Sequence, residues 1–215
     1  MKLYYIPASC SLAAHIVIRE LGLNVELVKV DHRTHLTAQG QDFYAINELG
    51  YAPVLELADG RRLREGVVIL QYLADQVPEA GLAPSPHSFE RYRLQEWLAF
   101  LASEIHKGFI PLLYAAQAGE YLQTVRPKLL QRFAWLDRQL AERPFVAGER
   151  FSVADAYLFA LVGWGSAHWL TSYYHADIAL DEFVRLRCWY EAVRARPAVI
   201  GALQAEGLGC SRMHS

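Results

Sequence analysis

The sequence predicts two parts, a small α/β unit over residues 1–78 and an all-helical unit over residues 88–215, joined by a linker at 79–87. Three observations carry this. Before about residue 75, strand-length apolar runs alternate with helical ones. After residue 88 every apolar stripe has the 3.6-residue period of a helix. Between them Pro78, Gly81, Pro84 and Pro86 break any regular element.

Residues 2–6 read as a strand ended by Pro7, and residues 11–21 as a helix closed by Gly22. Residues 25–30 alternate as a second strand, and a short helix is expected at 42–46. Residues 53–57 form a third strand, Ala58-Asp59-Gly60 a hairpin turn, and residues 61–63 the returning strand. Val67, Ile69, Leu70 and Leu73 then line a helix, so the order is βαβ followed by ββα. Further on, Leu94, Trp97, Leu98, Leu101, Ile105 and Phe109 form one stripe, and Val125, Leu129, Phe133, Leu136 and Leu140 a second. Ser152 and Asp155 predict a capped helix start. Phe183, Leu186, Tyr190 and Val193 form a last stripe, stopped before Pro197.

The chain has 215 residues with 21 Lys plus Arg against 23 Asp plus Glu, a net charge of −2. That balance argues against nucleic acid and anionic membranes as partners. Residues between Asp155 and Asp177 carry no Asp, Glu, Lys or Arg, but the continuous apolar part, Ala156 to Val162, is far short of the roughly 20 residues of a span. A buried core helix is expected there. Three scattered cysteines, Cys10, Cys188 and Cys210, support neither a disulfide framework nor a metal cluster. No secretory leader is read at the start, so a reducing cytoplasm is the expected compartment.

Cys10 falls between a strand and a helix, where orphan N–H groups and the helix dipole would lower a thiol pKa. A buried, inert cysteine is the alternative, and carries about equal weight; Cys188, expected in a packed helix, and Cys210, in a Gly-rich tail, have far more of that character. No second cysteine follows Cys10 at dithiol spacing, so its redox chemistry needs an external thiol. Ala52-Pro53 opens a strand with either a turn proline or a backbone edge for an extended peptide. Glu65-Gly66 heads a helix whose N–H groups suit a carboxylate, or Glu65 simply complements the dipole. Ala99, Ser103 and His106 share a face by their i, i+4, i+7 spacing, although a lone histidine is more often structural. Phe109, Trp164 and Trp169 read first as core.

Together, Tyr4 to Ser11, Ala52-Pro53, Arg64-Glu65-Gly66, Gln71 to Asp75, Leu101 to Phe109, Phe151 to Phe159 and Ala205 to Leu208 resemble a bacterial beta-class glutathione transferase along essentially the whole chain. The resemblance implies a thioredoxin-like N-terminal domain, a helical C-terminal domain, a cytoplasmic homodimer and a detoxification role. Glutathione would be the co-substrate, with no tightly bound cofactor and no metal. It further implies a cis Pro53, with Ala52 pairing the cysteinyl unit of glutathione and Glu65 and Gly66 holding its γ-glutamyl end. Cys10 would face the sulfur and form a mixed disulfide with it, supported by His106, while Ser103, Glu104 and Lys107 make further contacts. Lysine and asparagine are usual in the family where this chain has His35 and Ala99, so a carboxylate contact is weakened and a hydrogen bond lost, each worth about 1–2 kcal/mol. A hydrophobic electrophile is expected between the domains near Ala8, Phe109, Leu113 and Trp164. The rival readings are a glutathione-dependent thiol oxidoreductase or peroxidase, and a non-catalytic binding protein.

Overall fold

The computed structural model describes residues 1–165, 176, 178 and 180–208. An N-terminal thioredoxin-like domain is followed by a helical one. Its first unit is β1 (Lys2–Tyr5), α1 (Leu12–Glu20) and β2 (Glu26–Lys29), with β1 and β2 parallel, as a helical crossover requires. After a 3₁₀ turn at Phe43–Ala45 come β3 (Val54–Glu56), β4 (Arg62–Leu63) and α2 (Gly66–Ala74). β3 runs antiparallel to β1 and to β4, giving the order β2-β1-β3-β4. Gly60, at φ +83°, supplies the left-handed residue of the tight β3–β4 turn.

Strand alternation sorts the two faces of this sheet. Leu3, Tyr5 and Leu55 join the main core under α1 and α2, while Tyr4, Ile6, Val28, Val30 and Val54 pack with Phe43 and Ile46 on the other side. Residues 12–18 of α1 are all buried. The reason is position: α1 packs at once against α2 and against two helices of the second domain, α7 (Val153–Val162) and α9 (Pro197–Ala205). Ile16 and Val17, on different faces, are both fully enclosed.

Helix α3 (Phe89–Phe100) starts at Ser88, whose hydroxyl accepts the Arg91 N–H. The buried Arg91 guanidinium bonds the Asp75 carboxylate at the end of α2, and its Nε donates to the Pro84 carbonyl at 2.7 Å. One cation thus fastens the segment between α2 and α3. The helix does not run unbroken through residue 109. Leu101–His106 is a π-helical turn, with the Lys107 N–H reaching back five residues to the Ala102 carbonyl, before α4 (Lys107–Leu113) resumes. The buried stripe of Leu94, Leu98, Leu101, Ile105 and Phe109 nevertheless holds throughout. Gly108 lets α4 approach α6 (Leu122–Gln139), since a Cβ there would lie 2.9 Å from Leu129 Cδ1. Between them lies the short α5 (Ala115–Ala118).

Every residue of α7 is buried, which makes it the expected core helix. No helix among the described residues is long and apolar enough to cross a membrane. Helix α8 (Val184–Arg194) buries Leu186, Tyr190 and Val193. Pro197 does not merely end a helix, as expected, but opens α9, because a residue without N–H costs nothing at the first helical position.

The fully buried Asp155 at the head of α7 accepts four hydrogen bonds, from Val146 N, Ser152 N, Ser152 Oγ and Trp189 Nε1, at 2.8–3.0 Å. Asp155→Ala strands all four donors in a dry interior. It should cost about 3 kcal/mol in denaturant unfolding, with Asp155→Asn falling between. A loss below about 1 kcal/mol in the alanine variant would show that this cap does not organise the helical domain.

Candidate active site

The loop between β1 and α1 is tied from both domains. Within it, Ser11 Oγ accepts the Ile6 N–H and donates to the Ile6 carbonyl. Ala8 adopts φ +59°, a left-handed conformation unfavourable for a residue with a Cβ. Its N–H donates to Glu206 Oε2 at 2.9 Å, and its carbonyl accepts Trp164 Nε1–H at 2.8 Å. The other oxygen, Glu206 Oε1, lies 2.9 Å from His15 Nδ1, and Arg19 Nε donates to His15 Nε2 at 3.1 Å. With Nε2 accepting, Nδ1 carries the proton and donates to Glu206.

Cys10 lies on the turn that leads directly into α1, its carbonyl accepting the Ala13 N–H. Helix α1 begins at Leu12 with Ser11 as its cap, and Cys10 is half-buried. Its thiol donates to the Ala52 carbonyl at 3.5 Å. Burial pushes the thiol up to about 12; its own backbone N–H and the Lys107 ammonium pull down, and the Glu65 carboxylate adds to the rise. The expected depressed pKa is therefore corrected: desolvation outweighs the local dipoles. Nor is Cys188 packed. It lies on the exposed face of α8, two residues off the buried stripe. Cys210 and Trp169 fall outside the described residues.

The Ala52–Pro53 peptide is cis. Pro53 is buried beside Gly66, where an added Cβ would touch its ring at 3.8 Å. Glu65 caps α2 at φ +64° and is exposed, and the head of α2 thus begins beside Pro53.

His106 is half-buried at the end of the π turn, its Nδ1 2.6 Å from the Tyr157 hydroxyl and its ring edge-on to Trp164 at 5.1 Å. Burial, helped by Lys107, drops it to about 4, so the imidazole is neutral at neutral pH. Because the unfolded chain binds that proton more readily, this group costs stability as pH falls from 6.5 toward 4. Tyr157, which sequence reasoning missed, has its phenol raised by burial, then by Cys10 and Glu65. Only its place in the Phe151–Phe159 segment marked it.

Other expected residues lie differently. Glu104 is turned away to Arg132, at 2.7 Å, and Lys128, and the Arg132 guanidinium holds its carboxyl below the usual range. Ser103 is exposed and spends its hydroxyl on the Ala99 carbonyl of its own helix. The π turn also undoes the shared face read from i, i+4, i+7 spacing, which assumed 3.6 residues per turn. Lys107 is exposed beside the site. His35, at φ +55°, stacks on Tyr44 at 4.7 Å with Nδ1 buried and unpartnered. Of the residues expected near the electrophile, Ala8 and Phe109 are fully enclosed, Trp164 is 2% exposed and Leu113 is partly open. Among the described residues no group of three His, Cys, Asp or Glu could hold a metal.

Thiolate content governs alkylation, so at pH 7.5 Cys188 should react with iodoacetamide at least about tenfold faster than Cys10. Peptide mapping of a time course reads this. Cys10 reacting first in the free enzyme would mean that its thiol is not held in the protonated form.

Family models for the glutathione S-transferase N-terminal and C-terminal domains match residues 8–76 and 100–197. Glutathione S-transferase GstA of Escherichia coli O157:H7 is 40% identical over 97% of this chain and its own full length. A sphingomonad glutathione S-transferase solved in complex with glutathione is 42% identical, with a TM-score of 0.89 over 97% of this chain and 100% of that one. A bacterial beta-class enzyme of Sphingomonas chungbukensis is 40% identical, with a TM-score of 0.88 over 96% and 99%. On its sequence and its fold, this chain belongs to the glutathione S-transferase family, among the bacterial beta-class enzymes.

Proposed function

We propose that this transferase joins the sulfur of glutathione to a hydrophobic electrophile, with the tripeptide lying across Ala52, Pro53, Glu65 and Gly66 and its sulfur between Cys10 and His106. The observation that carries this reading is the closeness of the Cys10 thiol to the Ala52 carbonyl, with Pro53 beside Gly66 at the head of α2 and the Glu65 and Lys107 charges acting on the thiol. The α2 N–H groups suit the α-carboxylate of the γ-glutamyl unit and Glu65 its ammonium. Lys107 supplies the nearby positive charge.

The electrostatics favour glutathione, not Cys10, as the nucleophile in conjugation. A thiolate at Cys10 would repel a second thiolate beside it, whereas a Cys10 kept protonated, its hydrogen on the Ala52 carbonyl, adds no negative charge there, and a neutral His106 has one ring hydrogen to offer. Attack by the glutathione sulfur forms the new C–S bond while the leaving group departs, or an activated double bond takes up the electrons. A mixed disulfide at Cys10 is the slower reaction. The Cys10 thiolate attacks one sulfur of glutathione disulfide, the old S–S bond breaks, and the second glutathione leaves as a thiolate that takes up the proton.

The working unit we propose is a cytoplasmic homodimer engaged in detoxification. Exposed apolar side chains on both domains, Leu49, Tyr51 and Val68 on one and Phe89 and Tyr92 on the other, support a second copy as partner.

Cys10→Ala should bind glutathione in calorimetry and keep conjugation of an aryl halide within about tenfold, while losing the glutathione adduct that mass spectrometry detects after exposure to glutathione disulfide. Conjugation falling more than about a hundredfold with unchanged glutathione affinity would make Cys10 itself the reacting thiol. Absence of any glutathione binding by the wild type would favour the non-catalytic reading.

A further inference from the structure

We propose that Tyr157 is a positioning residue that fixes the tautomer of His106, its hydroxyl donating to Nδ1 so that the ring proton sits on Nε2, the nitrogen left for the sulfur of glutathione. The proposal rests on the active-site reading above, and it names the atom of His106 that serves that site.

The geometry has one arrangement that satisfies every group. Tyr157 is 3% exposed, and its hydroxyl meets His106 Nδ1 at 2.6 Å. Among the described residues no other hydrogen-bond acceptor is recorded for that O–H, so a phenol accepting from Nδ1–H would leave its own hydrogen buried and unpaired. Donation from the phenol removes the conflict. Nδ1 then accepts, and a neutral imidazole with one nitrogen accepting carries its proton on the other. The aromatic edge of Trp164 holds the ring from a second side, and Trp164 is itself held by the Ala8 carbonyl. Nε2 makes no recorded hydrogen bond among the described residues and lies on a half-buried ring at the end of the π turn.

The charged and titratable groups around this pair agree with that assignment. Burial first, and then the Glu65 carboxylate at the head of α2, keep the Tyr157 phenol protonated, while Cys10 from the β1–α1 loop, itself held protonated, adds no charge beside it. Lys107, the next residue on the helix, disfavours a second proton on His106. A neutral Nε2–H donor stabilises a thiolate without becoming its counter-ion, and the thiol proton released on binding goes to solvent. Tautomer control by the partner of the remote nitrogen is a familiar device for histidine.

Side-chain ¹⁵N spectra of the free enzyme, with the His106 signals assigned by their loss in His106→Gln, test the tautomer directly. The wild type should show Nδ1 bare and Nε2 protonated from pH 5.5 to 8, and Tyr157→Phe, which fills the same space, should show the proton shared between both nitrogens. With glutathione bound, the ultraviolet titration of its thiolate should move up by about one pH unit in Tyr157→Phe. At pH 6.5 kcat should fall about tenfold while KM for glutathione stays within about twofold. A proton on Nδ1 in the wild type overturns the proposal, and does so even if the variant fails to fold. Unchanged tautomer and titration in Tyr157→Phe overturn it equally. If calorimetry finds no glutathione bound to the wild type, the active-site reading fails, and the spectra of the free enzyme still decide the tautomer.

Discussion

The Ala8 peptide is where the two domains meet in chemical detail. Its N–H is held by Glu206, at the end of α9, and its carbonyl by Trp164, just after α7. Neither partner lies in the sheet domain, yet Ala8 sits two residues before Cys10. The left-handed backbone at Ala8 carries a strain of order 1–3 kcal/mol and persists only where surroundings over-determine it. Two hydrogen bonds in a dry interior supply that determination. The same carboxylate that receives Ala8 also receives His15 from the middle of α1, so one buried anion locks the loop, the helix behind it and the last helix of the chain.

Burial then sets the protonation of the site. Cys10, His106 and Tyr157 are all pushed toward their neutral forms, with desolvation the leading cause in each. Charge is confined to its rim, at Glu65 and Lys107, both exposed. A surface made this way presents donors and little charge, and a single anionic sulfur arriving there meets no competing thiolate. The opposite design, a low-pKa cysteine at a helix N-terminus, suits a thiol oxidoreductase. Here Cys10 stands ahead of the Ser11 cap and its thiol is turned onto the Ala52 carbonyl, an acceptor that favours the protonated form.

Much of this was legible in the chain and some was not, for physical reasons. Strand alternation at Leu3 to Tyr5 and the buried stripes of α3, α6 and α8 follow from local periodicity, which a sequence displays directly. The π turn does not: over six residues, about 4.4 and 3.6 residues per turn bury the same Leu101 and Ile105, and only the face of Ser103 and His106 differs. Cys188 could have been placed correctly, because it stands two positions from both Leu186 and Tyr190 and so points away from their stripe. The links that build the site, His106 to Tyr157 and Ala8 to Trp164 and Glu206, join residues from 51 to 198 positions apart. No local pattern encodes such pairs. The cis Pro53 was visible through family resemblance, which marked Glu206 only as part of the Ala205–Leu208 segment, and nothing in the spacing alone required either.

Native-state hydrogen exchange at the Ala8 amide tests the interdomain lock most directly. If Glu206 holds the loop, the wild-type Ala8 amide exchanges only as slowly as the amides of β1 and β3, through global unfolding. In Glu206→Gln one carboxamide cannot accept from both Ala8 N–H and His15 Nδ1–H, so protection at Ala8 should drop about a hundredfold or more relative to the sheet. An Ala8 amide that exchanges within seconds in the wild type, while the sheet stays protected, would contradict the lock.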